Sequence, residues 1–381
     1  MSPLVPAVPE APARYDAVLL TSFGGPEGQD DVLPYLRNVT RGRGIPDERL
    51  EEVAHHYRHF GGVSPINDQN RALRAALEGE LAARGIDLPV YWGNRNWDPY
   101  LRDAVREAYD AGHRRLLAVV TSAYSSYSSC RQYREDLAAA LEETGLAGEM
   151  HIDKVRQFFD HPGFVRPFVE GVRAAVGRAA QALPDADLGR DLHVLFATHS
   201  IPMTTATTSG PPEAELGEEG AYGAQHRAVA EVVMAAVASR ADVDAGPDVP
   251  CSLVYQSRSG DPRTPWLEPD INDAITELAE RGVRGVVIVP LGFVSDHMEV
   301  LWDLDEEALT TARDAGLWAE RVPTPGVHPS FVSGLVDLVT ERTDGVARPA
   351  LTALGPWYDV CRPGCCANPR QTLPAVAGSD G

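Results

Sequence analysis

Residues 285–307 are GVVIVPLGFVSDHMEVLWDLDEE. Within them, 286–291 form a short apolar run rich in β-branched side chains, as expected of a strand buried on both faces. Gly292 breaks the run, and Ser295 or Asp296 can cap the α-helix expected over 299–314. Polar groups therefore crowd the C-terminal edge of a strand, where open α/β sheets place their ligands. Glu299, Asp303 and Glu307 follow at i, i+4 and i+8, which puts three carboxylates on one helical face. Like charges so aligned repel by roughly a few tenths of a kcal/mol per pair. In an acidic chain they can be a solvated face, or they can be a cation path ending beside His297 and Glu299.

A second stretch is built the same way. Residues 191–196 (DLHVLF) form a strand that runs into Ala197-Thr198-His199-Ser200-Ile201-Pro202. Pro202 has no N–H for a strand ladder, so His199 is left at the strand mouth. Alone, such a His is commonly a packed or capping residue. A His and a Glu from two strand mouths of one sheet make an N/O site suited to a borderline divalent metal.

Outward from these stretches, apolar runs alternate with helical patterns. The first half has strands at 18–20, 90–93 and 116–120, a further apolar piece at 155–159, and helices at 51–60, 70–84, 101–111, 131–144 and 164–182. The second half has strands at 191–196, 251–256 and 285–291, with helices at 222–239, 271–281 and 299–314. This alternation predicts an α/β protein of two Rossmann-like domains, each a parallel β-sheet flanked by helices, with a ligand cleft between them. The expected divisions are a disordered tail at 1–14, domains at 15–186 and 187–345, and a Cys-containing tail at 346–381. The Gly24-Gly25 pair after the first strand can let the backbone approach a ligand, but no GxGxxG dinucleotide signature is present.

A net charge of −21 argues against nucleic acid and against docking on an anionic membrane. No apolar run approaches the roughly 18 residues of a membrane-spanning helix. Residues 1–14 lack the basic start and apolar core of a signal peptide. A monomer in the reducing cytosol is expected, where five cysteines serve as ligands or free thiols rather than disulfides. Three of them, Cys361, Cys365 and Cys366, stand close together in the Pro/Gly-rich tail. Zinc, an iron–sulfur cluster or a redox thiol group would each suit them, with a fourth ligand from Cys130 or Cys251.

THSIP (198–202) and GFVSDHMEVLWDLDEE (292–307) resemble ferrochelatases, the enzymes that put Fe(II) into a porphyrin. So do LLTSFGGPE (19–27), HFGGVSPIN (59–67) and VYQSRSGDPRTPWLEPD (254–270), and the resemblance runs from about residue 15 to about 340. It implies a chelatase-like fold with His199 and Glu299 as the facing catalytic pair and as ligands to the Fe(II) substrate. Asp303 and Glu307 would form a secondary metal or proton path, and His297 and Asp296 would orient Glu299.

Phe23 stands where some relatives carry a metal-reaching Tyr, and Phe cannot ligate. Ser64, Tyr133, Arg41 and Arg43 are expected at the porphyrin periphery, the arginines on propionates, with Trp266 near the cleft. Cys130 matches an internal cysteine of cluster-bearing ferrochelatases, which implies a [2Fe–2S] cluster on Cys130, Cys361, Cys365 and Cys366, with Cys251 as the alternative to Cys130. The implied substrate is coproporphyrin III, which suits a hydrophilic chain, and the product would pass to the next haem-pathway enzyme by transient contact. A protoporphyrin IX ferrochelatase, another tetrapyrrole chelatase, and a non-catalytic haem or metal carrier remain as alternatives.

Overall fold

A computed structural model describes residues 11–42, 44–239, 248–259 and 263–378. Arg43 and residues 1–10 of the expected N-terminal tail lie outside the described residues. Among those described, β1 (Ala17–Ser22), β2 (Val90–Asn94), β3 (Arg115–Val120) and β4 (His151–Lys154) form one sheet. β5 (Leu192–His199), β6 (Cys251–Gln256), β7 (Gly285–Val289) and β8 (Trp318–Arg321) form another. The strand orders are β2-β1-β3-β4 and β6-β5-β7-β8, and every pairing is parallel. Each half thus repeats one topology, with its strand order reversing between β1 and β3 and between β5 and β7. Such a reversal opens a crevice beyond the carboxyl ends of the two strands.

The central strands are apolar because both of their faces are covered. All six residues of β1 and all five of β7 are buried. Val18 and Leu20 of the first sheet share one continuous core with Val194, Phe196 and Val287 of the second. Helices also cross between the halves: Pro162–Ala182 packs on Gly220–Ala238 and on β7, and Pro329–Thr343 packs on Ile66–Ala83. Phe158, Phe164 and Phe331 meet there with ring centroids 5.6–6.1 Å apart, each pair worth about 0.5–1.5 kcal/mol beyond its burial.

The apolar piece 155–159 adds no strand to the first sheet. The β3–β4 ladder ends at Ala118–Lys154, and Val155, Phe158 and Phe159 leave the sheet to fill the core. One expectation about local structure is corrected: the helix after β7 is α-helical only at Met298 and Glu299 before it widens. Val300–Ala308 is a nine-residue π-helix with Glu299 at its N-cap, and α-helix resumes at Leu309–Asp314. Ser295 and Asp296 therefore do not cap it. Wider i→i+5 winding carries residues four apart to just short of a full turn rather than just past one. Glu299, Asp303 and Glu307 still share a face, with their drift reversed. The sequence patterns also passed over the helices α1 (Val32–Val39) and Pro329–Thr343, and the edge strand β8.

Candidate active site and cysteine centre

His199 is the last residue of β5, and Glu299 follows β7, the strand paired with β5. The two side chains thus flank the reversal point of the second sheet. His199 Nε2 lies 3.6 Å from Glu299 Oε2, with about a third of the His and nearly half of the Glu side chain still exposed (32% and 46%). The loop after β7 can pass this close because Gly292 has no side chain. A Cβ there would fall 2.1 Å from Thr198 Oγ1. His199 Nδ1 bonds the Ser200 carbonyl, and Tyr222 Oη donates to the His199 carbonyl at 2.8 Å, holding ring and backbone in place.

The pair is charged at rest. Burial opposes an imidazolium at 199, but the Glu299 carboxylate, the Ser200 carbonyl and Asp303 outweigh it and lift His199 to about 9. Burial likewise opposes charge on Glu299, yet His199 and then His297 pull it down to about 2. Asp303 goes the other way. Burial and the Glu299 charge raise it to about 7, against a hydrogen bond from Ser257 Oγ. Three neighbouring groups thus titrate at well separated pH values, as acid–base assignments within one site require.

β6 secures the π-helix to the sheet. Gln256 lies opposite His199 in the ladder, and its Nε2 donates to the Glu299 carbonyl at 3.0 Å and to Asp303 Oδ2 at 3.3 Å. Glu307 is exposed and accepts from Trp302 Nε1 at 2.8 Å. The Trp302 ring stacks on His56 of α2 (Asp47–His59), with centroids 4.0 Å apart and planes within 6°. That helix, from the other half, walls the π-helix. Tyr35 and Tyr57, from α1 and α2, lie close enough for the Glu299 charge to help raise their hydroxyl pKa values, after burial.

The other anticipated residues divide. Phe23 is half-buried in a cluster with Tyr35 and with Met298, the neighbour of Glu299. Trp266 is half-buried, its backbone bridged to Pro202 just beyond His199. Ser64 and Tyr133 are each only 4% exposed. Ser64 packs on Gly25, and the Tyr133 ring lies under the Arg95 guanidinium at 4.5 Å. The Gly24-Gly25 pair accordingly serves close packing on Asn94 and Ser64. Arg41 is exposed and bonds Asn38 Oδ1 at 2.6 Å.

His297 Nδ1 accepts the Glu299 N–H at 3.2 Å, as an orienting group would. Asp296 does not orient Glu299. Its carboxylate is held by Arg321 at 3.2 Å and by Thr324 at 3.0 Å. Sequence reasoning missed Gln256, Ser257, Tyr35, Tyr57 and Tyr222. For the first two a usable signal existed: they end a strand run at the same sheet edge as His199.

A second centre lies apart from this pair. Cys130, Cys361, Cys365 and Cys366 form one cluster, none more than 3% exposed. Cys361 bonds both Cys130 and Cys365, and Cys365 and Cys366 Sγ are 4.0 Å apart. Cys251 is exposed at the start of β6 and takes no part. The tail is pinned by a reciprocal pair: Cys366 N–H bonds the Gly210 carbonyl, and Gly210 N–H bonds Cys366 Sγ, each at 3.2 Å. Hydrogen bonds from Cys130 and Cys365 hold Cys361 well below the ordinary thiol range.

Among the described residues, no three His, Cys, Asp or Glu side chains are already spaced as ligands around one ion. The chemistry of the donor set nevertheless fits a thiolate-bound group, and one orphaned cation supports it. The buried Arg134 guanidinium donates from Nε to the Val376 carbonyl at 2.7 Å, and among the described residues Nη1 and Nη2 have no hydrogen-bond partner.

The profile of the Ferrochelatase family matches residues 15–343. The chain is 66% identical over 376 residues to the coproporphyrin III ferrochelatase of Leifsonia xyli subsp. xyli, covering 96% of this chain and 95% of that protein. It is 60% identical over 371 residues to the coproporphyrin III ferrochelatase of Tropheryma whipplei, covering 96% and 92%. Among solved structures, SirB from Bacillus subtilis with Fe3+ gives a TM-score of 0.47 at 12% identity, covering 87% of this chain and 97% of that one. Among the described residues no helix is long and apolar enough to cross a membrane.

Proposed function

The chain belongs to the ferrochelatase family, and on that premise we propose that it inserts Fe(II) into coproporphyrin III to give coproheme. One observation of the site carries the reading: an imidazole and a carboxylate from two strand mouths, 3.6 Å apart and partly open to solvent. Insertion replaces two pyrrole N–H protons by one Fe(II), so the site must bind a dication and accept protons.

At rest His199 holds a proton because Glu299 holds a negative charge. Fe(II) arriving at Glu299 takes up that charge, and the imidazolium loses its main support. His199 then sheds its proton towards water by way of Asp303, and the neutral ring takes the two pyrrole protons in turn, passing the first out by the same route before it accepts the second. Asp303 and Glu307 guide the metal along the π-helix. Arg41 meets a propionate, which a planar guanidinium fork suits. Phe23 and Trp266 supply apolar surface for the macrocycle.

Anaerobic incubation with Fe(II) and coproporphyrin III tests this reading. The Soret and visible bands of the free porphyrin should give way to those of the metal complex. Binding with an unchanged porphyrin spectrum would leave a carrier instead.

For the second centre we propose a [2Fe–2S] cluster held by Cys130, Cys361, Cys365 and Cys366. The four gathered sulfurs and the orphaned Arg134 N–H groups support it. When bound, the cluster supplies a cross-link between the tail and the first domain, and a one-electron couple. Cys130→Ala should therefore remove protein-bound iron and sulfide, while Cys251→Ala keeps both. Retention in Cys130→Ala with loss in Cys251→Ala would reassign the fourth ligand.

A further inference from the structure

We propose that Arg134 and Lys154 are the counter-charges of the cysteine centre, two buried cations that stabilise its anionic form and set how readily it accepts an electron. The proposal rests on the cysteine quartet binding a metal group. Lys154 is the only lysine of the chain, and it is 2% exposed. Its ammonium donates to the Val155 carbonyl and to Gln157 Oε1, each at 2.7 Å, and both acceptors are neutral. Arg134 is fully buried, bonds only the Val376 carbonyl through Nε, and cannot shed its proton. Burying a cation without an opposing charge is strongly unfavourable.

Among the described residues, nearby carboxylates do not answer these charges, because each is already engaged by another arginine. Glu135 is held by Arg131, Asp136 by Arg95, Glu341 and Asp160 by Arg156, and Glu213 by Arg362. The thiols are what remains. Arg134 follows Cys130 by four residues, where the π-turn Tyr127–Arg131 runs directly into helix Gln132–Glu143. The end of the tail lies over its guanidinium, so that a Cβ at Gly378 would fall 1.7 Å from Arg134 Nη2. Gly378 in turn pairs with Cys361. Lys154 is tied to the same turn from the other side: Gln157, which accepts from its ammonium, donates to the Ser122 and Tyr124 carbonyls in the loop that leads to Cys130.

Charge counting shows what the two cations match. Four thiolates around a dipositive core carry a net double negative charge, and Arg134 with Lys154 balances it. Taking up one electron adds a further negative charge, which both cations stabilise. Removing either cation should make reduction at least tenfold less favourable, a potential about 59 mV lower for a one-electron couple.

The test uses full-length protein purified anaerobically and titrated with dithionite, with reduction followed by electron paramagnetic resonance. Arg134→Gln and Lys154→Gln should each lower the midpoint by that amount, and the charge-keeping Arg134→Lys and Lys154→Arg should restore most of it. Unchanged midpoints in neutral variants with full iron and sulfide overturn the proposal and leave the cluster itself standing. Where a neutral variant loses its cluster on purification, reconstitution with iron and sulfide followed by a chelator challenge replaces the titration. Iron should then leave at least tenfold faster than from the charge-keeping variant, and equal rates overturn the proposal. If the unaltered protein carries zinc with no sulfide, the cluster assignment fails. The counter-charge proposal is then judged by chelator competition for zinc: tenfold weaker retention in the neutral variants supports it, and equal retention overturns it.

Discussion

Replacing Glu299 by Gln should cut iron insertion by about 10²–10⁴-fold, the usual weight of a positioned acid–base group, while porphyrin still binds. His199→Ala should cost a similar factor, because each residue sets the protonation of the other. In the unaltered protein His199 is lifted from 6.5 to about 9, and Glu299 is lowered from 4.5 to about 2. A raised histidine stabilises the fold fully below 6.5 and loses that contribution as pH rises through 9. A lowered carboxylate contributes above 4.5 and loses it as pH falls through 2. Between about 4.5 and 6.5 the pair contributes in full. Both side chains are partly exposed, so solvent screens the pair and its weight in global stability is small.

The effect belongs to the chemistry, and the variants separate it there. In Glu299→Gln the largest lifting influence on His199 is gone and burial is left to depress it. Its imidazole titration, followed by proton NMR, should move well below 9. Unaltered insertion rates in both variants, or a His199 titration that stays near 9 without Glu299, would remove the pair from the centre of the mechanism.

That pair was visible in the sequence because buried parallel strands announce themselves as apolar runs, and their ends are where ligands sit. His199 and Glu299 each follow such a run. What surrounds them was not visible, because it depends on contacts between segments far apart in the chain. The stacking of His56 on Trp302 joins α2 to the π-helix, and neither local pattern announces the other. The π-helix escaped for another reason: i→i+5 winding leaves the order of apolar and acidic residues unchanged and alters only their angular spacing. Ser64 and Tyr133 carry hydroxyls that suit a porphyrin edge, but composition cannot show how deeply packing buries them. The tail had no periodicity to read, since it is held by Cys361 on Gly378, Cys366 on Gly210 and Arg134 on Val376.

A second large effect is expected far from the reacting groups. Arg156→Met should destabilise the protein by about 3–5 kcal/mol, the cost of breaking a buried ion pair from one side. For a chain of this size that corresponds to a fall of roughly 4–6 °C in Tm. The Arg156 side chain is fully buried and forks onto Glu341, at 2.8 Å from Nε and 3.0 Å from Nη2. Nη1 reaches Asp160 at 3.4 Å, and Nη2 also reaches the Pro349 carbonyl at 2.9 Å. One guanidinium thus ties the segment after β4 to helix Pro329–Thr343 and to the base of the cysteine tail.

Methionine fills much of the volume but leaves Asp160 with only the Thr352 hydroxyl, and Glu341 with only Arg348 at 3.7 Å. Burial already raises Asp160 from 3.8 to about 6 against the pull of Arg156. A raised acid costs nothing below its unfolded value, and the cost grows as pH rises through the folded one. Without Arg156, Asp160 should climb further, and the gap in Tm between variant and parent should widen from pH 5 to pH 8. Differential scanning calorimetry at both pH values measures it. A gap of equal size at the two would show that lost packing, and not the stranded charge, is what Arg156 prevents.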